Sequence, residues 1–324
     1  NLLTMDNFDR FKKMVTSSLF KDYFEQAPQE IKQAVMTQYR MHPEIMGVIN
    51  HFYEGKLKSG VEDPDKNKSH DLHIKSTKGL KFIEPSNHAL WIDTSKDVNG
   101  RNFQEFQYKS GKINPLEAIL IAELLVKIDN KYFEMGFHGE NKKDIGVISF
   151  YGHQVTLLRN VIPKSTFKSI KVDINSVDNF QGKEKSIIIT SLVRNNNSIR
   201  KRYKDTGHVA QFERINVAFS RAKELLVIFG AKDMFHDIEV TLPNMDTTGE
   251  YKESVYRNII SDLYRNGCFF DSTRIIDPKP YARMYKNKNF LWEGIRGVYQ
   301  IGMEQKFNKS FKKGNQDTKW GKNR

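Results

Sequence analysis

The sequence lacks the features on which secreted and membrane-spanning proteins depend. Its 324 residues include one cysteine, Cys268, which excludes a disulfide framework and fits a reducing compartment. No run of 18 apolar residues occurs, so no segment predicts a membrane-spanning helix. We therefore expect a cytoplasmic protein with no membrane partner. No nucleophile signature surrounds Cys268, for which we expect a half-buried apolar thiol.

The sequence also lacks the local signatures of phosphate and metal binding. No GxxxxGK(S/T) loop and no Asp-Glu dipeptide occurs in it, so none of its GK pairs is a phosphate loop. His70 and His73 stand in a polar stretch without neighbouring cysteines or a paired ligand motif. We expect both on a loop surface, and we predict no metal site.

Positive charge is concentrated at the carboxyl end. The net charge is +13, and residues 281–324 alone contain 11 lysines and arginines against 3 acidic residues. Two interpretations of this tail stay open. It binds a polyanion, because cations contact phosphates and the interleaved aromatic rings can stack on bases, or it is simply a solvated end.

Short apolar runs alternate with helical patterns over the middle of the chain. The predicted strands lie at 89–93, 145–149, 170–174, 186–193 and 225–230. The predicted helices lie at 8–25, 43–52, 114–128, 153–162 and 214–223. This alternation predicts an α/β fold, with a mostly parallel sheet covered by helices on both faces. Residues 58–80 are polar and rich in turn residues, which predicts an insertion or a mobile loop.

The alternation ends at Lys232. Beyond it the sequence predicts a helix over 251–267 and then the basic tail, which together form a C-terminal basic extension of the α/β unit.

Four segments combine polar loops with these elements in a distinctive order. They are QYRMHP (38–43) with FYEGKL (52–57), IGVISFYGHQ (145–154), NSVDNFQGKEKSIIITSLVRNN (175–196) and RINVAFSRAKELLVIFG (214–230). Pro43 suits the first turn of a helix, and Glu44 favours the positive end of its dipole. Gly182 lies in a polar loop before a buried strand, where a glycine lets the backbone approach a ligand closely.

Together these segments resemble the second RecA-like motor domain of superfamily 1 helicases. They are most similar to the branch that contains the nonsense-mediated-decay helicase and its 5′→3′ relatives. The resemblance implies a division into the tail of a first motor domain with a linker (1–37), the second motor domain (38–232) and a C-terminal helical and basic extension (233–324). It also implies a C-terminal fragment whose partner is the first motor domain of the same protein, which would hold most of the ATP and Mg²⁺.

The family's nucleotide-site residues can be carried over to matching positions. Arg40 and Arg221 match the arginines that meet the γ-phosphate, and they are the expected catalytic residues. Tyr39 matches the aromatic residue that packs on adenine, and Glu184 matches the ribose contact. With Gly182, these form the expected cofactor-binding set. Ordinary core packing stays open for Tyr39, and an ordinary turn stays open for Gly182.

The family holds one nucleic-acid strand at the ends of its β-strands. The matching positions here are Tyr151, His153, Gln154, Ser176 and Arg194. A solvated loop explains the first four almost as well, and an ion pair with an acid stays open for Arg194. Arg214 stands seven residues before Arg221 in a predicted helix, so the two should share a helical face. A structural ion pair is the alternative for Arg214.

Two functions from different classes follow. The first is the C-terminal motor half of an ATP-dependent helicase that supplies arginine fingers and a contact surface for single-stranded DNA or RNA. It would be an enzyme only as the full-length protein, and this fragment alone is expected to be inactive. The alternative is a non-catalytic nucleic-acid-binding module derived from a helicase domain.

Overall fold

The computed structural model describes residues 36–275 apart from 77, 98–99, 109, 163, 197–205 and 245–248. The predicted helix at 8–25, nearly all of the predicted segment 1–37 and the basic tail at 281–324 lie outside the described residues.

The described residues alternate between strands and helices, as the sequence predicts. The strands are β1 (Thr37–Gln38), β2 (Lys58–Ser59), β3 (Ile74–Lys75), β4 (Lys81–Ile83), β5 (Ala89–Asp93), β6 (Phe106–Tyr108), β7 (Gly111–Ile113), β8 (Lys143–Ser149), β9 (Ile170–Ser176), β10 (Lys185–Ser191), β11 (Ala222–Gly230), β12 (Val240–Pro243), β13 (Glu250–Glu253) and β14 (Phe269–Asp271). The helices are α1 (Pro43–Asn50), α2 (Pro64–Asn67), α3 (Pro115–Glu134), α4 (Gly152–Val161), α5 (Val177–Phe180), α6 (Phe212–Phe219), α7 (Lys232–Phe235), α8 (Val255–Arg265) and α9 (Ser272–Ile275).

A six-stranded parallel sheet organises the fold, in the order β14-β5-β11-β10-β8-β9. Its central strand β10 pairs on both sides, with Ile188 opposite Gly146 of β8 and Leu226 of β11. The apolar run that predicted this strand is buried on both faces because helices cover both sides of the sheet. The predicted α/β, RecA-like arrangement is confirmed.

Strand β5 shows how the two faces are covered. Successive side chains of a strand point to opposite faces, and Trp91 packs edge-on against Tyr256 of α8. Its neighbour Ile92 instead lines a small apolar cavity with Leu120 and Leu124 of α3. One strand therefore contributes to two layers of the core.

Helix α1 follows the pattern that its sequence predicts. His42 caps its start by accepting a hydrogen bond from the Glu44 backbone N–H, and Pro43 occupies the first turn. Its buried face consists of Ile45, Val48 and Ile49, at the spacing expected of an amphipathic helix.

Helix α3 is longer than predicted, at 20 residues. It continues past residue 128 because Asp129 and Tyr132 also face the interior. The Tyr132 hydroxyl donates to the His70 carbonyl at 2.8 Å, and this contact joins the last turns of the helix to a segment that the sequence assigns to a loop.

The segment at 58–80 differs from its prediction. Leu72 and Ile74 are buried in the core, and β3 pairs with β4. The surface position predicted for His70 is wrong, because its side chain is fully buried. Polar composition hid these few inward-facing residues. His73 does lie at the surface, with 63% of its side chain exposed.

The described part of the predicted extension packs on the same sheet. Strand β14 pairs with β5 at the edge, and the helix predicted over 251–267 begins only at Val255 because β13 pairs with β12 ahead of it. Cys268 is a free thiol, as predicted, but it is buried rather than half-buried. The placement of domain boundaries stays a prediction.

Among the described helices, none is both long and apolar enough to cross a membrane.

Candidate functional site

The loop between β1 and α1 presents Arg40 in a fixed turn. The Gln38 side-chain oxygen accepts hydrogen bonds from the backbone N–H groups of Arg40 and Met41, each at 2.9 Å. The same amide donates to the Met41 carbonyl at 3.0 Å. Gln38 thereby satisfies three backbone groups of the turn and fixes the direction in which Arg40 leaves it. Sequence reasoning missed Gln38, although it stands inside the QYRMHP segment.

The Arg40 side chain joins three parts of the chain. Its guanidinium forms an ion pair with Glu184, which directly precedes β10, and donates to the Ser220 carbonyl at 3.2 Å. Both side chains of the ion pair remain more than one third exposed. The structure therefore brings together two predicted site residues that are 144 positions apart in the sequence.

Arg221 lies beside this pair, in the turn that precedes β11. Its carbonyl accepts from the Lys185 backbone N–H at 3.1 Å, which ties the starts of β10 and β11 together. Its Nε is buried and makes no hydrogen bond within the described residues. Burial and then repulsion from Arg40 lower the pKa of Arg221, while Glu184 opposes the shift. A cation held in this way is suited to an incoming anion.

The helical face predicted for Arg214 and Arg221 does not form. Helix α6 ends at Phe219, because the chain turns there to enter β11, so Arg221 lies beyond the helix. Arg214 instead pairs with Asp178 at 3.1 Å. The ion-pair alternative for Arg214 is therefore the one that the structure contains.

Tyr39 and Gly182 complete the predicted nucleotide set. Tyr39 is 69% exposed, so the core-packing alternative is wrong. Gly182 has a φ of +80°, and a Cβ added to it would meet no atom within 4 Å. The turn itself requires glycine there, because other residues rarely adopt this backbone conformation.

Arg40, Glu184 and Arg221 lie at the amino ends of the β-strands, which is an unusual place for a ligand site. Glu184 and Arg221 stand at the amino ends of β10 and β11, whereas open α/β sheets commonly bind ligands at the carboxyl ends of their strands. The residues predicted to hold a nucleic-acid strand lie at or just beyond the carboxyl ends of β8, β9 and β10. The structure therefore separates the two predicted sets by the length of the sheet.

At the carboxyl edge, Arg194 is an internal ion-pair partner. Its side chain is 2% exposed, and its Nε lies 3.1 Å from a carboxylate oxygen of Glu105. Its guanidinium also donates to the Tyr151 hydroxyl at 3.3 Å, and Tyr151 is buried too. The acid-pair alternative for Arg194 is thus observed. Neither the Arg194 nor the Tyr151 side chain is accessible to a nucleic-acid strand in this structure. No sequence signal identifies Glu105, which lies 89 positions away.

Gln154 is also internal and belongs to a buried polar network. Its side chain exchanges hydrogen bonds with the Asn114 backbone and donates to the Ser191 hydroxyl. Ser191 donates to Glu117 at 2.6 Å, and the same carboxylate accepts from the Val193 N–H at 2.9 Å. Burial raises the pKa of Glu117 to about 8, although these hydrogen bonds oppose the shift. The Asn-x-x-Glu spacing of residues 114–117 resembles a capping box and is the sequence signal for this missed network.

Of the five residues predicted to contact a nucleic-acid strand, His153 and Ser176 are half-buried. Both lie at the carboxyl ends of the β-strands. The ring of His153 contacts Tyr108 of the β6–β7 hairpin, with the ring centroids 5.5 Å apart. Ser176 ends β9 and makes no capping hydrogen bond to α5. Their contact with a nucleic-acid strand stays a prediction.

One further cluster, missed from the sequence, has the composition of a metal site. Potential ligand atoms of His42, Asp65 and His88 lie within 4.8 Å of one another. The two imidazoles, however, are stacked 3.4 Å apart and nearly parallel, whereas a ligated ion lies in the plane of each ring. The His42 Nδ1 also accepts from the Glu44 N–H, which leaves its Nε2–H to donate to Asp65. This arrangement serves helix capping rather than metal coordination.

Comparison with known proteins identifies the family. Residues 15–233 match the family described as AAA domain. The chain is 30% identical over 225 residues to the DNA replication ATP-dependent helicase/nuclease JHS1 of Arabidopsis thaliana, covering 66% of this chain and 15% of that protein. It is 30% identical over 233 residues to the DNA replication ATP-dependent helicase/nuclease DNA2 of Homo sapiens, covering 67% and 20%. It is 29% identical over 251 residues to Helicase SEN1 of Saccharomyces cerevisiae, covering 75% and 10%.

The chain spans a fifth or less of the length of each of these three relatives. It therefore matches only one part of each of these larger proteins. The matched region contains all four segments that resemble the second motor domain, and its described residues contribute five of the six strands of the parallel sheet that the resemblance implies. The chain therefore belongs to this AAA-domain family, and its segments and fold are those of a second RecA-like motor domain of the superfamily 1 helicase type.

Proposed function

We propose that the chain is the C-terminal motor half of an ATP-dependent helicase acting on DNA or RNA. The first motor domain would hold most of the ATP and its Mg²⁺, and this chain would supply Arg40 and Arg221 to the γ-phosphate. The observation that carries the proposal is the meeting of Arg40, Glu184 and Arg221 at one edge of the sheet.

The electrostatics of this edge suit a triphosphate. Arg40 has one carboxylate partner, Glu184, and Arg221 adds a second cation with an unsatisfied Nε–H among the described residues. Negative charge shifts along the phosphates in the transition state, and one well-placed arginine contributes about 10³- to 10⁵-fold in rate. Bound Mg²⁺ would neutralise part of the same charge. A module that only binds nucleic acid has no need of this pair.

Tyr39, Gly182 and Glu184 are proposed as the nucleoside contacts. The exposed Tyr39 ring would pack on adenine, and the Glu184 carboxylate would accept hydrogen bonds from ribose hydroxyls. Glu184 would then exchange Arg40 for the sugar when ATP binds, which would leave Arg40 free for the γ-phosphate. Gly182 shapes the turn that carries Glu184 to this position.

The carboxyl edge of the sheet is proposed to contact one nucleic-acid strand. His153 and Ser176 would meet it directly. Because Tyr151, Gln154 and Arg194 are buried, their share would come through backbone groups and through the shape that they give to the loops. Either DNA or RNA fits this contact, since phosphate and stacking contacts serve both.

The proposal is tested in the full-length protein with Arg40→Ala and Arg221→Ala. We expect each variant to lower kcat for ATP hydrolysis by about 10³- to 10⁵-fold, because lost transition-state stabilisation appears in kcat. Affinity for a single strand without nucleotide should stay within about twofold of the parent. Arg257→Ala is the matched control, since it removes an exposed arginine of α8 that pairs with Asp237; it should change neither quantity.

Two outcomes would contradict the proposal. Near-normal kcat in both arginine variants, combined with loss of affinity for single-stranded nucleic acid, would favour the binding-module alternative. Sustained ATP turnover by the 324-residue chain alone, abolished by Arg221→Ala, would also contradict it, because this sequence has no GxxxxGK(S/T) loop to hold the phosphates.

A further inference from the structure

A short parallel strand pair places a glycine directly beside Tyr39. Strands β1 and β2 pair with Thr37 opposite Lys58 and Gln38 opposite Ser59. The next residue of each strand continues this register, since the Gly60 N–H donates to the Gln38 carbonyl at 2.8 Å. Tyr39 and Gly60 are therefore neighbours across the pair, although 21 positions separate them in the sequence.

The Tyr39 ring occupies the space that a side chain at position 60 would need. A Cβ added to Gly60 would lie 2.3 Å from Cε1, 2.6 Å from Cζ and 2.8 Å from Cδ1 of Tyr39. These distances are far inside van der Waals contact, so the ring could not keep its position. Unlike Gly182, Gly60 does not adopt a left-handed backbone conformation. Glycine is needed here for space and not for its backbone freedom.

The exposure of Tyr39 determines what a larger residue would do. The ring is 69% exposed, so it can swing into solvent when it is pushed. A methyl group at position 60 would therefore move the ring at little cost to folding. A buried ring in the same contact would instead transfer the clash to the core.

We propose that Gly60 is a positioning residue for the Tyr39 ring, setting the pose in which that ring meets the base of a bound purine nucleotide. This inference rests on the proposed function, in which Tyr39 packs on adenine. Stacking depends on the offset and tilt between two flat groups, so a displaced ring stacks less well on the base. Gly60 itself touches no nucleotide and acts only through Tyr39.

The test measures KM and kcat for ATP in the full-length protein carrying Gly60→Ala, Tyr39→Ala or both changes. Loss of the Tyr39 ring should raise KM by roughly 5- to 150-fold, the ratio that corresponds to removal of a base–aromatic stack. Gly60→Ala should raise KM by about threefold or more and leave kcat nearly unchanged, because uniform binding is what it removes. The double variant should resemble Tyr39→Ala alone, since without the ring there is nothing left to displace.

The matched control is Gly47→Ala, because nothing lies within 4 Å of a Cβ added at this exposed position of α1. It should leave KM unchanged. Thermal unfolding of every variant separates displacement of the ring from loss of the fold, and Gly60→Ala is expected to keep the parent midpoint.

The outcomes separate this inference from the function on which it rests. If Tyr39→Ala raises KM and Gly60→Ala does not, the positioning role is wrong while the proposed nucleotide site stands. Equal effects of Gly60→Ala with and without the Tyr39 ring would likewise overturn the positioning role. If Tyr39→Ala itself leaves KM unchanged, the adenine contact is wrong and the inference falls with it.

Discussion

Burial shifts the protonation equilibria of single residues in this domain in opposite directions. Burial raises the pKa of Glu117 to about 8 and that of Cys268 to about 11. It lowers the pKa of His70 to about 4, and repulsion from His88 adds to this shift. Desolvation disfavours the charged form in each case, so acids rise and bases fall. Cys268 is therefore a poor nucleophile at neutral pH.

His70 should make the fold sensitive to acid. Its ring Nε2–H donates to the Asn87 carbonyl, and its Nδ1 accepts from the Leu72 N–H, so the folded state holds it neutral. In the unfolded chain it binds a proton below about pH 6.5. The neutral His70 ring therefore makes its full contribution to stability above this pH. That contribution is lost as the pH falls towards 4, which lowers the free energy of unfolding by about 3 kcal/mol in total.

The measurement is urea unfolding of the chain between pH 7 and pH 4. His70→Gln should lower stability at pH 7 but flatten the decline below about pH 6.5, because the titrating group is gone. His138→Gln is the control, since His138 is exposed, and the change of slope should be specific to His70→Gln. An unaltered slope in His70→Gln would show that other groups cause the acid sensitivity.

At the scale of elements, one carboxylate joins α3 to the start of β9. Asp129 accepts hydrogen bonds from the backbone N–H groups of Ser169 at 2.7 Å and of Ile170 and Lys168 at 3.1 Å. These groups stand at the end of the loop that enters the edge strand, where no neighbouring strand satisfies them all. Asp129 therefore fixes where β9 begins.

Asp129→Asn should destabilise the fold by about 1–3 kcal/mol, because the new amide presents N–H groups to backbone donors and leaves at least one of them unsatisfied. The change keeps the size of the side chain, so a cavity cannot explain the loss. Denaturant unfolding measures it. Glu134→Gln on the same helix, at an exposed ion pair with Lys131, should stay within about 0.5 kcal/mol. Equal effects of the two changes would refute the anchoring role of Asp129.

At the scale of the whole molecule, the sheet separates the two predicted sets of site residues. The arginine and glutamate cluster lies at the amino ends of β10 and β11, and the loops proposed to contact a nucleic-acid strand lie at the carboxyl ends of β8, β9 and β10. Strand β10 has seven residues, so the two edges are roughly 20 Å apart at the usual rise per residue. Communication between them would have to pass through the sheet and its helices. The buried network of Gln154, Ser191 and Glu117 lies at the carboxyl end of that path.

Charge beyond the described residues should add to nucleic-acid affinity. Residues 306–324 contain seven lysines and arginines against one acidic residue. If these cations bind phosphates of a single strand, their deletion should reduce the slope of log affinity against log salt. The expected reduction is roughly 0.7 for each phosphate that the tail neutralises in the parent protein.

The deletion is compared with the parent by titrating a labelled oligonucleotide at several salt concentrations. If the deletion variant has the same salt slope as the parent, the tail is only a solvated end. The binding then belongs to the loops at the carboxyl ends of the β-strands. Restoring the deleted length with glycine and serine serves as the control, because it keeps the chain length and removes the charge.

The sequence by itself determined the α/β class, the places of the buried strands and the four ordered segments, because apolar periodicity and turn residues are local signals. It also singled out Tyr39, Arg40, Glu184 and Arg221, since each stands inside such a segment. The exposure of Tyr39, however, could not be read from it, because exposure depends on what the rest of the chain covers.

Tertiary structure alone decided which side chains meet. It paired Arg40 with Glu184 and Arg194 with Glu105, buried His70 in a polar segment, and placed Gly60 beneath the Tyr39 ring. Each pairing joins residues far apart in the chain, through strand order and crossovers that no local pattern encodes. The physical reason is that a side chain's charge, exposure and free space are set by its neighbours in space. Those neighbours meet only in the folded chain, some across the six-stranded sheet and Tyr39 and Gly60 across the separate β1–β2 pair.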